Sequence, residues 1–448
     1  MRSAVRLLRT TGLDIARARV PATTHAATAA AAAWAFACAG ALAVHPEDAL
    51  PSEASPSAAI QSAAFQASTS QGDATRGDAT RGDATQGDAT TTATTARSEE
   101  VARCAARYAG IVAAEYATAR RQAEVMRAAI QAFCAAPGDE GLARARESWI
   151  AARDAYGRTE AFRFANGPID SRRGGVETFV NAWPVDEAYI EPADPAARSG
   201  IIRDTARYPA LGRAILRLHN QRGGETNVCT GWHAIEFMLW GADRSATGPG
   251  ARPSAEFRDG DAPFAERRRE YLLEITDMLC EDLARVERAW APGEDNHRRR
   301  LEADPKAMRA ILVGPALLAG FEMSGERMAV ALETRDQEEE HSCFSDTTDR
   351  DFKANIRGIE LALRGSGALA VIAAADPARA KSVEAALDAA IAAVDAIPAP
   401  FDRAIVAADG TAERARLAAA VEALEELGEQ VGAAGKALGY DLPTEPQG

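Results

Sequence analysis

The stretch LAAAVEALEELGEQV at residues 417–431 decides the fold class. Leu417, Val421, Leu424, Leu427 and Val431 recur at three- and four-residue steps, the period that lines one side of an α-helix, and glutamates fill the positions between them. Ala, Glu and Leu are strong helix formers, and the stretch contains no run of β-branched residues that would favour a strand. The rest of the chain has the same character. Of its 448 residues 47% are hydrophobic, chiefly Ala and Leu, and only 6% are aromatic. The fold class expected is therefore all-α, with almost no sheet.

Working outward, helical periodicity also covers roughly 304–336, 349–364 and 376–396, and with 409–439 these make four long helices on short connections, the pattern of a bundle. Upstream, Pro292-Gly-Glu-Asp-Asn296 is polar and helix-breaking and marks a domain boundary. Before it, Val101, Cys104, Tyr108, Ile111, Val112 and Tyr116 define a helix over 99–136 that stops at Pro137-Gly138. Further helices are expected near 139–164, 201–221, 230–241 and 263–290. Residues 166–200 carry four prolines and form a long ordered loop, a length that usually serves function. The expected organisation is a helical-bundle domain over 98–295 and a second over 296–448.

Residues 1–43 have the order of a secretory signal: Arg2, Arg6, Arg9, Arg17 and Arg19, then an uncharged Ala-rich stretch, then Ala41-Leu-Ala43 as a cleavage site. Export to the periplasm or cell envelope is expected, with no transmembrane span in the mature form; Cys38 offers a weak lipid-anchor alternative. Residues 44–97 are Ser, Thr, Ala, Gly and Asp, with near-copies of Gly-Asp-Ala-Thr, and read as a disordered spacer. The net charge of −14 belongs wholly to the remainder, which disfavours nucleic acid and anionic lipid and favours cationic ligands. Cys104, Cys134, Cys229, Cys280 and Cys343 are too few and too scattered for a disulfide framework.

Three segments hold candidate chemistry. In Cys229-Thr-Gly-Trp-His-Ala-Ile-Glu-Phe-Met-Leu-Trp-Gly241, His233 and Glu236 stand one helical turn apart, so both heads can reach one cation. The helix is apolar nearly all round and must be buried, and a buried carboxylate requires a metal, an Arg or a proton. A metal pair on one side, and a hydrogen-bonded His–Glu pair or a Glu–Arg bridge on the other, fit the residue types equally. In Glu338-Glu-Glu-His-Ser-Cys-Phe-Ser-Asp346-Thr-Thr-Asp349, the residues Glu340, His341, Ser342, Ser345 and Asp346 either cap the following helix or line a site. Arg153, Glu160, Arg163 and Asp170, with Glu322, Glu326 and Arg327, form a third set. Glu322 and Glu326 at i,i+4 repel unless a cation or Arg lies between them. At least one of Glu160, Arg163, Asp170, Glu326, Arg327, Ser342, Ser345 or Asp346 is expected to face His233 and Glu236 across a polar cavity between the bundles.

Taken in order, these segments resemble the imelysin family. The matching stretches are Trp149-Ile-Ala-Ala-Arg153, Phe162-Arg-Phe164 with Gly167-Pro-Ile-Asp170, Asn181-Ala-Trp-Pro184, Gly231-x-His-x-x-Glu236 with Leu239-Trp-Gly241, Gly325-Glu-Arg327 and Glu340-His-Ser-Cys-Phe-Ser-Asp346, over about 200 residues. The resemblance implies two related helical bundles, the His-x-x-Glu element near their interface, a link to iron supply, and a metal ion at His233 and Glu236, iron ahead of zinc or manganese. An envelope iron-transport component would then be a partner. The family was first classed as metallopeptidases, but a catalytic metal needs three protein ligands, an open water position and a base. Only two convincing ligands stand in this sequence, so metal binding is favoured over peptidase activity. A structural envelope protein with a buried His–Glu pair and no metal is the third alternative.

Overall fold

Ala-rich segments with a helical period need a second apolar face to cover them, and the chain meets that need by packing helix on helix. A computed structural model describes residues 84–245, 248–293 and 295–446, with side chains from Ser98 onward. The leader 1–43, Cys38 and the spacer up to residue 83 lie outside the described residues. Among the described residues there are helices and turns and no strand.

Helix α1 (Ala84–Ala135) begins inside the stretch expected as spacer and ends at the Pro137-Gly138 break. Helix α2 (Asp139–Gly157) returns along it, and α3 (Trp232–Trp240) and α4 (Ala265–Trp290) complete the first group. The second group is α5 (Ala307–Thr334), α6 (Thr348–Gly365), α7 (Ala368–Ala375), α8 (Pro377–Asp395), α9 (Phe401–Val406) and α10 (Ala412–Ala437). Helix α1 packs on α2 and α4, and α10 packs on α8 and α5, while α6 lies against both α2 and α8. The two sides of the 292–296 turn therefore share one hydrophobic core, and Thr80–Gly448 clusters as a single unit. The stripe Leu417, Leu424, Leu427 and Val431 is fully buried.

Helix α5 departs from regular geometry. Pro315 removes a backbone donor from its ladder, and from Leu318 to Ala329 the helix widens into a π-helix before closing again as α. Just ahead of the widening, Gly314 lies against the Ala161 carbonyl, where a Cβ would collide. α5 is long and apolar enough to cross a membrane by composition, and most of that surface is buried inside the protein. The five cysteines named above are all unpaired.

Candidate functional site

Helix α3 starts at Gly231, whose φ of +89° suits glycine and whose Cα presses on the Val180 carbonyl, leaving no room for a side chain. This contact fixes the helix start against the 166–200 loop. All nine residues of α3 are buried, so His233 and Glu236 project into the interior. His233 Nδ1 lies 3.0 Å from Glu236 Oε2. The other carboxyl oxygen, Oε1, accepts from the Ser345 backbone N–H at 3.0 Å and from Ser345 Oγ at 2.7 Å. Ser345 Oγ is itself 2.8 Å from Thr347 Oγ1. Glu236 is thus occupied by protein partners on both oxygens, whereas His233 Nε2 is buried with no hydrogen-bond partner.

His341 stands edge-on to His233, ring centroids 4.7 Å apart. Its Nδ1 is 2.8 Å from Asp351 Oδ2, which also accepts from Ser342 Oγ at 2.7 Å. Each imidazole is therefore held at Nδ1 by a carboxyl group, the arrangement that fixes a ring's orientation for whatever its Nε2 meets. Arg153, buried on α2, donates to Asp351 at 3.0 Å, to Glu160 at 3.4 Å and to Asn181, and one of its nitrogens lies 3.3 and 3.5 Å from the two ring nitrogens of His341.

Behind this pair lies an ion-pair network. Glu160 accepts from Arg327 at 2.7 Å, Arg163 at 3.3 Å and Asn181 at 3.3 Å. Glu322 takes both arms of Arg163, at 3.0 and 3.2 Å, and Arg327 at 3.3 Å. Arg163 also pairs with Glu177 at 3.1 Å. The π-helix explains part of this geometry. Its backbone bonds run from i to i+5, so Glu322 and Arg327, five apart, fall on one face. Glu326, four residues from Glu322, is exposed and lines a cavity beside His341.

Burial and charge set the protonation states. Burial pushes Glu160 upward, but Arg327, Arg153, His341 and Arg163 together outweigh it and hold its carboxyl at about 2. Burial pushes Glu236 up to about 8 against the pull of the Ser345 hydrogen bonds. Burial also drives both imidazoles well below their usual value, helped by Arg153 at His233 and by Arg327 and Arg153 at His341. Near neutral pH the His233–Glu236 pair is consequently neutral overall, with the carboxyl proton shared toward the ring.

A cavity of about 350 Å³ opens beside His341, lined by Asn181, Trp183, Glu322, Glu326 and Arg327 among others. Asp170 is elsewhere: its Oδ1 accepts from the Gly167 N–H at 2.6 Å and closes its own turn, in a neighbouring cleft shared with Arg163. Glu340 and Asp346 also diverge. Neither bonds to His233 or Glu236, and burial with the nearby charges of Asp402 and Asp243 pushes both carboxyls up. Of the expected residues, the fold brings Ser345 onto Glu236, His341 onto His233, Ser342 onto Asp351, and Arg163 and Arg327 onto Glu160. Sequence reasoning missed Asp351, Asn181 and Glu177. Asp351 reads in sequence as an ordinary first-turn acid on α6, while Asn181 sits in the Asn181-Ala-Trp-Pro184 stretch already singled out. Among the described residues, no three His, Cys, Asp or Glu side chains are grouped so as to hold a metal.

A sequence model of the imelysin family matches residues 112–431. Iron-regulated protein A of Synechococcus elongatus is 24% identical over 266 residues, 57% of this chain and 62% of that protein, so the chain spans less than two thirds of this relative. The crystal structure of an iron-regulated protein A precursor from Parabacteroides distasonis superposes with a TM-score of 0.58 at 17% identity, over 76% of this chain and 95% of that one. At that identity the likeness shows a shared fold.

Proposed function

The chain belongs to the imelysin family, and from that premise we propose that it is an exported envelope protein that takes up a metal ion at His233 and serves iron supply. The observation that carries this reading is the buried, unpartnered Nε2 of His233. A buried polar atom without a partner is costly, and an imidazole nitrogen held in place through its other nitrogen suits a transition-metal ion. Glu236 then acts through the ring, fixing its tautomer, with Ser345 fixing Glu236 in turn. His341, the adjacent imidazole, is the nearest further nitrogen donor, and water completes the coordination. Taking a cation at Nε2 would release the proton that nitrogen carries, while the proton shared with Glu236 passes to Nδ1 and leaves the carboxylate ionised against Nδ1–H. Glu326, which lines the cavity beside His341, and the acidic balance of the chain favour cations there.

Iron is favoured over zinc or manganese because a relative carries the name iron-regulated protein A; an envelope iron-transport component is the corresponding partner. The peptidase alternative requires three protein ligands around a water-bearing metal, a grouping the described residues do not hold. The structural alternative is favoured by one observation, that Glu236 and His233 Nδ1 are already satisfied by each other and by Ser345.

Thermal melting of chelator-treated protein, with ferrous, ferric, zinc or manganese ions added singly, separates these readings. At a hundredfold excess over Kd the bound ion contributes about 2.7 kcal/mol, and His233→Ala should remove that gain while leaving the helical circular dichroism intact. Equal stabilisation of His233→Ala, or none in the parent chain, would make the pair structural.

A further inference from the structure

Trp240 and Gly241, at the C-terminal end of α3, line a cavity of about 340 Å³ in whose walls neither His233 nor Glu236 takes part. Its size suits a small molecule. The charged groups around it are Arg203, Arg244, Arg252 and Arg268 against Glu187, Glu191 and Glu256, a positive balance in a chain whose net charge is −14. Three of the arginines converge on buried Glu191: Arg268 Nη2 donates to it at 2.6 Å, Arg252 Nη1 at 3.0 Å and Arg203 Nε at 3.2 Å. Arg268 spends its remaining nitrogens on Glu191 and on the Glu256 and Pro263 carbonyls. Arg252 does not. It is only 9% exposed, and Nη1 serves both Glu191 and Glu256, at 2.8 Å from the latter, while Nε has no partner. Gly241 stands beside that edge of the guanidinium with no side chain to cover it: a Cβ there would lie 3.4 Å from Nε and 3.8 Å from Nη2. On the same cavity, Glu187 Oε1 is buried and equally without a partner.

A guanidinium N–H and a carboxyl oxygen left unpartnered on one cavity are unfavourable unless something inside it supplies an acceptor to the first and a donor to the second. We propose that this cavity binds a small organic carboxylate that also carries a hydrogen-bond donor, a hydroxy or amino acid, at a site separate from His233. The carboxylate accepts from Arg252 Nε, since a guanidinium edge matches the geometry of a carboxylate, and Arg244, exposed at the rim, adds a further positive charge. The hydroxyl or ammonium group donates to Glu187 Oε1. Pro192, Ala242 and Pro253 give the hydrocarbon part an apolar wall. An inorganic anion would leave that wall uncovered, so the site favours the organic acid over phosphate.

The test is calorimetric titration of lactate, alanine, propionate and inorganic phosphate, each singly, into the full chain. Lactate or alanine should bind once per chain with a Kd of about 1–10 mM or tighter, and the stronger of the two tells a hydroxy acid from an amino acid. Propionate, of similar size but with no donor for Glu187, should bind several times more weakly, and so should phosphate. Arg252→Lys keeps the charge and loses the Nε–H, and should weaken binding about tenfold. Should that variant fail to fold, Glu187→Ala, at the partly exposed side of the cavity, should erase the advantage over propionate. His233→Ala should bind the acid like the parent, which keeps this outcome independent of the metal reading. Absence of saturable binding of both acids would overturn the proposal, as would propionate or phosphate binding as tightly, or an unaltered profile in whichever of the two cavity variants folds.

Discussion

At the scale of residues, two buried glutamates, Glu160 and Glu236, have opposite protonation. Glu160 meets three guanidinium groups and stays ionised; Glu236 meets a neutral imidazole and a serine and holds its proton. For Glu236 the folded value, about 8, lies above the unfolded one. Its contribution is therefore complete below about 4.5 and is lost as pH rises through about 8. Glu236→Gln imitates the protonated carboxyl, so in chelator-treated protein the variant should gain on the parent by a few kcal/mol between pH 5 and pH 9 in urea unfolding. A gap identical at both pH values would show that no proton is held there. Glu160 behaves in the reverse sense: its folded value, about 2, lies below the unfolded one, so its contribution is present above about 4.5 and fades as pH falls toward about 2. Glu160→Gln strands buried guanidinium groups and should cost about 3–5 kcal/mol at pH 7. That deficit should shrink on acidification, and the same urea series measures it.

At the scale of elements, positioning depends on irregular features of regular helices. The π-helical stretch Leu318–Ala329 puts Glu322 and Arg327 side by side, where an α-helix would have turned one of them away. Gly231 sets both the start of α3 and its closeness to the Val180 carbonyl. Gly231→Ala would meet a disfavoured backbone conformation and a collision together, so its penalty should exceed the roughly 1 kcal/mol typical of a glycine replaced at positive φ alone. Since α3 carries His233 and Glu236, metal-dependent stabilisation should fall with it. A variant that melts like the parent would mean that the helix start relaxes freely.

At the scale of the whole molecule, the site joins parts of the chain on both sides of the 292–296 turn. Arg153 and Glu160 come from one side, Asp351 and Arg327 from the other, and their ion pairs are almost wholly buried. Breaking such pairs leaves uncompensated charge in the interior. The two groups of helices should therefore unfold together, with tryptophan fluorescence and far-ultraviolet circular dichroism giving coincident urea transitions. Two resolved transitions would show that the groups are held together far more weakly than the shared core implies.

Periodicity alone was enough to place the long helices, because the spacing of apolar residues along a helix is a local property that survives whatever the helix packs against. The all-round apolar character of 232–240 likewise announced a buried helix with His233 and Glu236 inside it. The partners of those residues could not be read locally. Ser345, which holds Glu236, is 109 residues away, and Asp351, which Arg153 binds, is 198 residues from it. Equally, nothing in the run from Glu340 to Asp346 signals that His341 and Ser345 turn toward α3 while Glu340 and Asp346 do not. A chain of this composition specifies which residues lie on the inner face of each helix; which buried charge meets which is decided only when the faces pack, because that pairing depends on distances across the core.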